Sequence, residues 1–337
     1  MVTKSTISAL FRFLRCIWPK RILGFAALTI VACLWASAQS ELEEANIRTR
    51  TPSVSTVASA SLVRTNVDLV LLNITVLDRA DRAVTGLESR DFAVLDDNKP
   101  QTVRYISNVD EPASLVIVLD ASASMAPKIE AERSAVKELI NSSNPQDEFS
   151  LVVLNDKPRL LFGFDDPVAD MQAAVAAIQP TGFTALWDGI YLGVQELRDA
   201  HNRRRAMIVI SDGGDNHSRY TESDLKSVLE EAHAEMYAIG IFDSSVHTFE
   251  ERLGPSQLDE LASVTGGRLF SLRDVRDLPQ TMMQISRELR NQYLLGYYAG
   301  KQDRDGKWHK VKVRLCGRAS ETKYRLYSKK GYYATAQ

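Results

Sequence analysis

The sequence predicts an α/β protein: a doubly wound, mostly parallel sheet, with a smaller β-sandwich assembled from the segments on either side of it. Three observations predict this. Runs such as S-L-V-I-V-L-D, Ser114 to Asp120, and R-A-M-I-V-I-S-D, ending at Asp212, are apolar without alternation, as in strands covered on both faces. Stretches with helical spacing separate these runs. The flanks instead carry short strand patterns divided by turn signals.

In chain order, the first element is a targeting segment over residues 1–38. Lys4, Arg12, Arg15, Lys20 and Arg21 precede the apolar run I-L-G-F-A-A-L-T-I-V-A-C-L-W-A, and Ala36 and Ala38 form a small-residue cleavage pattern. Cleavage after Ala38 gives an exported chain that is periplasmic, envelope-bound or secreted. Two alternatives stay open, an uncleaved membrane anchor and lipidation at Cys33 in a relaxed lipobox. Any membrane contact is then made through this segment alone. Residues 39–66, rich in Ser, Thr and Ala, read as a flexible linker.

Residues 67–111 (V-D-L-V-L-L-N-I-T-V-L-D, a turn, then D-F-A-V-L-D-D-N-K-P-Q-T-V-R-Y-I) form a β-rich segment, and residues 291–334 form another, read as three strands. Neither is long enough for a robust core, so the two are expected to pair. The domain between them, 112–290, is then an insertion in the sandwich. Within it a strand at 114–120 is followed by a helix near 127–142, then a hairpin from E-F-S-L-V-V-L-N and P-R-L-L-F-G-F. Helices near 167–178 and 185–200 precede the strand at 206–211. A helix at 221–234, the strand E-M-Y-A-I-G-I-F, a short helix near 255–264, the strand G-R-L-F-S-L and a helix from about 274 complete it.

In such sheets ligands bind beyond the carboxyl ends of the strands. Asp120 sits at one such end, with Ser122 and Ser124 at alternate positions after it. Thr184 follows Gly182 in T-G-F-T-A-L-W-D-G, and Asp212 ends the second buried run. All five offer oxygen, the donor that hard divalent cations prefer. With these residues the chain resembles the von Willebrand factor A (VWFA) domain, whose metal-ion-dependent adhesion site is D-x-S-x-S, then a Thr, then an Asp. The flanking V-D-L-V…V-T-G-L…D-F-A-V-L-D-D…Q-T-V, with Y-L-L-G-Y and K-K-G-Y-Y, is similar to the VWFA-related proteins of acidobacteria. The resemblance implies a Rossmann-like VWFA fold and a bound Mg²⁺, with Mn²⁺ or Ca²⁺ as substitutes. It further implies capture of a protein partner that contributes an Asp or Glu carboxylate to the metal.

Other residues have plainer readings. Asp188, Asp215 and His217 are assigned solvated loop roles, with Asp215 able to serve behind the ligands. Arg203, Arg204 and Arg205 read as a solvated cap on the following strand. The aromatics from Tyr293 to Tyr333 are assigned mainly to core packing. A formal charge of −2 argues against nucleic-acid binding. Cys316 would be alone after leader cleavage, so no internal disulfide is expected. The sequence has no G-x-S-x-G elbow, Walker loop or H-E-x-x-H helix, so the chain is read as not an enzyme. The alternatives are an envelope scaffold in which metal only orders the loops, and a metal-assisted hydrolase.

Overall fold

The computed structural model describes residues 69–212, 214–242, 249–300 and 305–334. The expectations for the leader (1–38) and the linker (39–66) lie outside them. Among the described residues no helix is long and apolar enough to cross a membrane.

The central sheet has six strands: β5 (Ala113–Asp120), β6 (Glu148–Leu154), β7 (Arg159–Phe162), β8 (Arg204–Ser211), β9 (Glu235–Ile241) and β10 (Leu269–Leu272). Their order is β10-β9-β8-β5-β6-β7, parallel except for β7 at the edge. Strands β5 and β9 are buried along their whole length, which explains why their sequences lack alternation. Helices α1 (Ile129–Ser142), α2 (Val168–Ala176) and α6 (Leu278–Arg290) pack with Leu115, Ile117 and Leu119 on one face. Helices α3 (Leu186–Glu196), α4 (Glu222–Glu231) and α5 (Phe249–Thr265) accompany Val116 and Val118 on the other. Strand order reverses direction between β5 and β8, so the crevice of this sheet opens at their carboxyl ends.

Three expected boundaries move. The chain after Asp120 first makes a short 3-10 turn at Ala123–Met125, and α1 starts only at Ile129. Helix α5 begins at Phe249 and carries Pro255 inside it, whereas a short helix near 255–264 was expected. A second 3-10 turn, Val275–Asp277, precedes α6.

The flanks build two four-stranded antiparallel sheets. One has the order β13-β1-β11-β4, from β1 (Leu69–Leu77), β4 (Tyr105–Ser107), β11 (Tyr293–Tyr298) and β13 (Arg325–Ser328). The other is β14-β12-β2-β3, from β2 (Phe92–Asp96), β3 (Lys99–Gln101), β12 (Trp308–Leu315) and β14 (Gly331–Tyr333). Each sheet mixes strands from both sides of the inserted domain. Val70, Leu72, Ile74, Phe92, Val94, Tyr293, Leu295, Tyr297, Val311 and Val313 form their shared core. The carboxyl flank has four strands, not three, because the chain breaks at Lys329 and Lys330 and passes from one sheet to the other; a short helix α7 (Gly317–Glu321) precedes β13. Tyr293 and Tyr297 are core residues, but Tyr298 and Tyr333 are exposed.

The sandwich meets the α/β domain at the amino ends of the central strands. Gln292 donates to Glu235 Oε2 (2.5 Å), Thr75 Oγ1 (3.1 Å) and Tyr237 Oη (3.2 Å), while Arg204 donates to Gln292 Oε1 (2.9 Å) and to the carbonyls of Glu111 and Leu289. Arg204 is therefore an inter-region clamp and not a solvated cap. This attachment leaves the carboxyl-end edge of the sheet to the loops.

Candidate metal centre

Three loops converge at that edge. The loop after β5 is bonded to the 181–185 loop by Thr181 N–H to Ala121 O (2.8 Å) and Ala123 N–H to Gly182 O (3.1 Å). The 181–185 loop meets the loop after β8 through Thr184 N–H to Asn216 Oδ1 (3.0 Å) and Asn216 N–H to Thr184 O (3.1 Å). Gly182 has φ of +80°, and a Cβ there would sit 2.6 Å from the Asp156 carboxylate, so only glycine fits this junction. Asp156 in turn accepts from Phe183 N–H at 2.6 Å.

Asp120 is fully buried. Its Oδ1 accepts from Ser122 N–H (2.9 Å) and its Oδ2 from Ser211 Oγ (2.7 Å), which fixes the carboxylate at the strand end. Each carboxylate oxygen has a second acceptor site, so both retain capacity for another partner. Burial and the nearby charge of Asp212 push the Asp120 carboxyl up to about 6, against the hydrogen bonds from Ser211 and Ser122. Ser122 Oγ and Ser124 Oγ lie 3.0 Å apart; Ser122 is buried and Ser124 is exposed. The Thr184 side chain is buried at the same loop junction.

Two residues in this cluster were missed in the sequence. Lys128 Nζ lies 3.0 Å from Asp212 Oδ2. Glu132, one turn further along α1, is fully buried and neither of its carboxylate oxygens has a hydrogen-bond partner. Burial, followed by the charges of Asp120 and Asp212, holds its carboxyl well above the usual range despite Lys128. The signal was available: Ile129, Glu132, Val136 and Leu139 occupy one helical stripe, with an acid among apolar residues.

Asp188 and Asp215 depart from the solvated roles expected for them. Asp188 is buried in α3 and accepts from the backbone N–H of Arg219 (2.9 Å) and Tyr220 (3.1 Å). Asp215 Oδ1 accepts from Leu186 N–H (2.8 Å), capping the start of α3, and from Ser218 Oγ. Both hold the second and third loops in place. His217 stays at the surface, stacked on exposed Phe183 with ring centroids 5.4 Å apart.

The donor set fits a hard divalent cation. It is all oxygen, and burial followed by the charge of Asp212 raises the Asp120 carboxyl, while Lys128 is the cation paired with Asp212.

The family model for the von Willebrand factor type A domain matches residues 114–284. The human protein inter-alpha-trypsin inhibitor heavy chain H4 is 24% identical over 201 residues, covering 54% of this chain and 20% of its own length. The chain thus spans about a fifth of that relative. Among solved structures, "von Willebrand factor type A from Catenulispora acidiphila" is 14% identical, with a TM-score of 0.45, over 81% of this chain and 75% of its own. Proximal thread matrix protein 1 from the mussel byssus, with a zinc-occupied MIDAS motif, is 21% identical, with a TM-score of 0.46, over 58% of this chain and 50% of its own. The family match takes in the buried strands, the three loops and helices α1 to α5: the chain belongs to the von Willebrand factor type A domain family.

Proposed function

We propose that this protein is exported and binds a protein partner through a divalent cation, Mg²⁺ in the first instance, held by Asp120, Ser122, Ser124, Thr184 and Asp212. The observation that carries this reading is the placement of two strand-end aspartates at the reversal point of the sheet, where burial and the charge of Asp212 oppose ionisation of Asp120. When bound, the ion would offer a partner's Asp or Glu carboxylate a coordination position.

The chain's own residues set up that encounter. Ser211 and the Ser122 amide orient Asp120, Asn216 and Asp215 position the Thr184 loop, and exposed Ser124 and Phe183 border the approach. These groups bind and orient. The leader supports export to the periplasm, envelope or exterior, with anchoring if it is retained.

The test is capture of a partner from envelope extract by the full chain, with Mg²⁺, with a chelator, and with Asp120→Ala. Binding should vanish with chelator, return with Mg²⁺ or Mn²⁺, and be absent in the variant. Binding that survives both treatments would place the interface elsewhere and favour a scaffold.

A further inference from the structure

We infer that the sandwich holds a second, separate metal site, in which Asp96, Asp97 and His309 bind a divalent transition metal of the Zn²⁺ class. One oxygen from each aspartate and one ring nitrogen of the histidine all lie within 4.8 Å of one another. His309 Nδ1 is 2.9 Å from Asp97 Oδ2 and 3.9 Å from Asp96 Oδ1. Ligands about 2.05 Å from a tetrahedral ion stand about 3.3 Å apart, so these separations bracket what an ion requires. Modest side-chain adjustment closes the set.

The decisive feature is Asp96 Oδ1. Asp96 is 3% exposed, and this oxygen accepts no hydrogen bond, whereas its other oxygen accepts from Tyr297 Oη (2.8 Å) and Tyr332 Oη (2.9 Å). A buried carboxylate oxygen without a donor is costly unless something else compensates it.

The remaining ligands are arranged alike. Asp97 Oδ1 accepts from Lys310 N–H (3.0 Å), leaving Oδ2 toward the histidine. His309 Nε2 lies 3.1 Å from Asp305 Oδ1; with the ring proton on Nε2 this is the carboxylate–histidine arrangement that frees the other nitrogen for a metal. Each ligand's far atom is thus engaged by protein, and the near atoms lie within 4.8 Å of one another. Strand pairing builds the geometry, since Asp96 is registered with Val311, two residues after His309, on adjacent strands β2 and β12. One nitrogen and two carboxylates suit Zn²⁺, Co²⁺ or Mn²⁺ better than the all-oxygen preference of Mg²⁺. Asp97 is exposed, so solvent reaches the fourth position.

The test titrates Co²⁺ into the full chain carrying Asp120→Ala, following its visible absorption, then adds Zn²⁺ or Mg²⁺. One Co²⁺ should bind, displaced by Zn²⁺ but not by equimolar Mg²⁺. His309→Gln should weaken binding at least 100-fold, and Asp96→Asn comparably. Asp305→Asn, which touches only the histidine's outer nitrogen, should weaken it about tenfold and serves where the buried variants unfold. No Co²⁺ absorption in the Asp120→Ala chain, or absorption unchanged by His309→Gln and Asp305→Asn, would overturn the site and leave His309 as the cation of a metal-free ion cluster.

Discussion

The two acidic clusters of this molecule solve the same electrostatic problem differently. At the sheet edge, buried Asp120 and Glu132 share space with Asp212, and the cation bonded to Asp212 is Lys128. In the sandwich, Asp96, Asp97 and Asp305 surround an imidazole that can itself carry charge. Burial opposes that charge, but the bond to Asp305 and the charges of Asp97 and Asp96 outweigh it and raise the His309 pKa. The first cluster leaves its carboxylates under-compensated, whereas the second carries a titratable counter-charge. A metal would replace a missing cation in one and a proton in the other.

The largest expected effect separates the two sites by metal. Asp120→Ala should lower Mg²⁺ or Mn²⁺ affinity at least 100-fold by titration calorimetry, while leaving Co²⁺ binding at His309 unchanged. Loss of both from this one substitution would mean that the clusters are not independent.

The next contrast is pH dependence without metal. The Asp120 carboxyl is raised from the ordinary 3.8 to about 6, so its contribution to stability is intact below about pH 4 and is lost as pH rises through 6. That displacement corresponds to about 3 kcal/mol. Urea unfolding in chelator should show stability falling over this window, and Asp120→Asn should flatten the fall. The groups facing Asp120 electrostatically, Asp212, Glu132 and Lys128, are retained in that variant; Glu132, raised in the same direction, leaves a residual slope. His309 is also raised, so its contribution too is lost with rising pH, but only above the ordinary imidazole range near 6.5. Both slopes have one sign for opposite reasons. Ionising Asp120 creates uncompensated charge; neutralising His309 removes compensation. A His309→Gln chain that kept the upper slope would break the contrast.

The sequence made one cluster legible and concealed the other. D-A-S-A-S places Asp120, Ser122 and Ser124 in one loop after an unmistakable buried strand, and the strand ends alone locate Asp212, so proximity along the chain stood for proximity in space. Asp97 and His309, by contrast, meet only through the pairing of β2 with β12, and no local pattern fixes that register. A weaker trace existed. Phe92, Val94 and Asp96 point inward on β2, as His309, Val311 and Val313 do on β12, so each strand ends its apolar face on an ionisable residue. The fold class was readable because covered strands and helical spacing are local properties. The starts of α1 and α5 were not, because a 3-10 turn and an internal proline blur local start signals.

A smaller effect is expected at Glu132. Its unpartnered carboxyl burdens the fold, so Glu132→Met, similar in volume, should stabilise the metal-free protein by about 1–3 kcal/mol near pH 7. Unchanged or lower stability would show that the acid is compensated in the metal-free state.

The finest distinction lies in Lys128. Its ammonium is bonded to Asp212 Oδ2 and acts on Glu132, so any ion held by Asp212 meets a like charge already seated there. Metal binding must displace or repel that charge. Lys128→Met should therefore tighten Mg²⁺ binding about three- to tenfold, with the gain shrinking as salt screens the partly exposed lysine. The same substitution should leave Co²⁺ affinity in the sandwich unaltered, because Lys128 pairs with Asp212 and the counter-charge beside Asp96 and Asp97 is His309. Weaker Mg²⁺ binding in Lys128→Met would reverse the interpretation: the lysine would then be ordering Asp212 for the ion, and the sheet-edge cluster, like the sandwich, would carry its own organising cation.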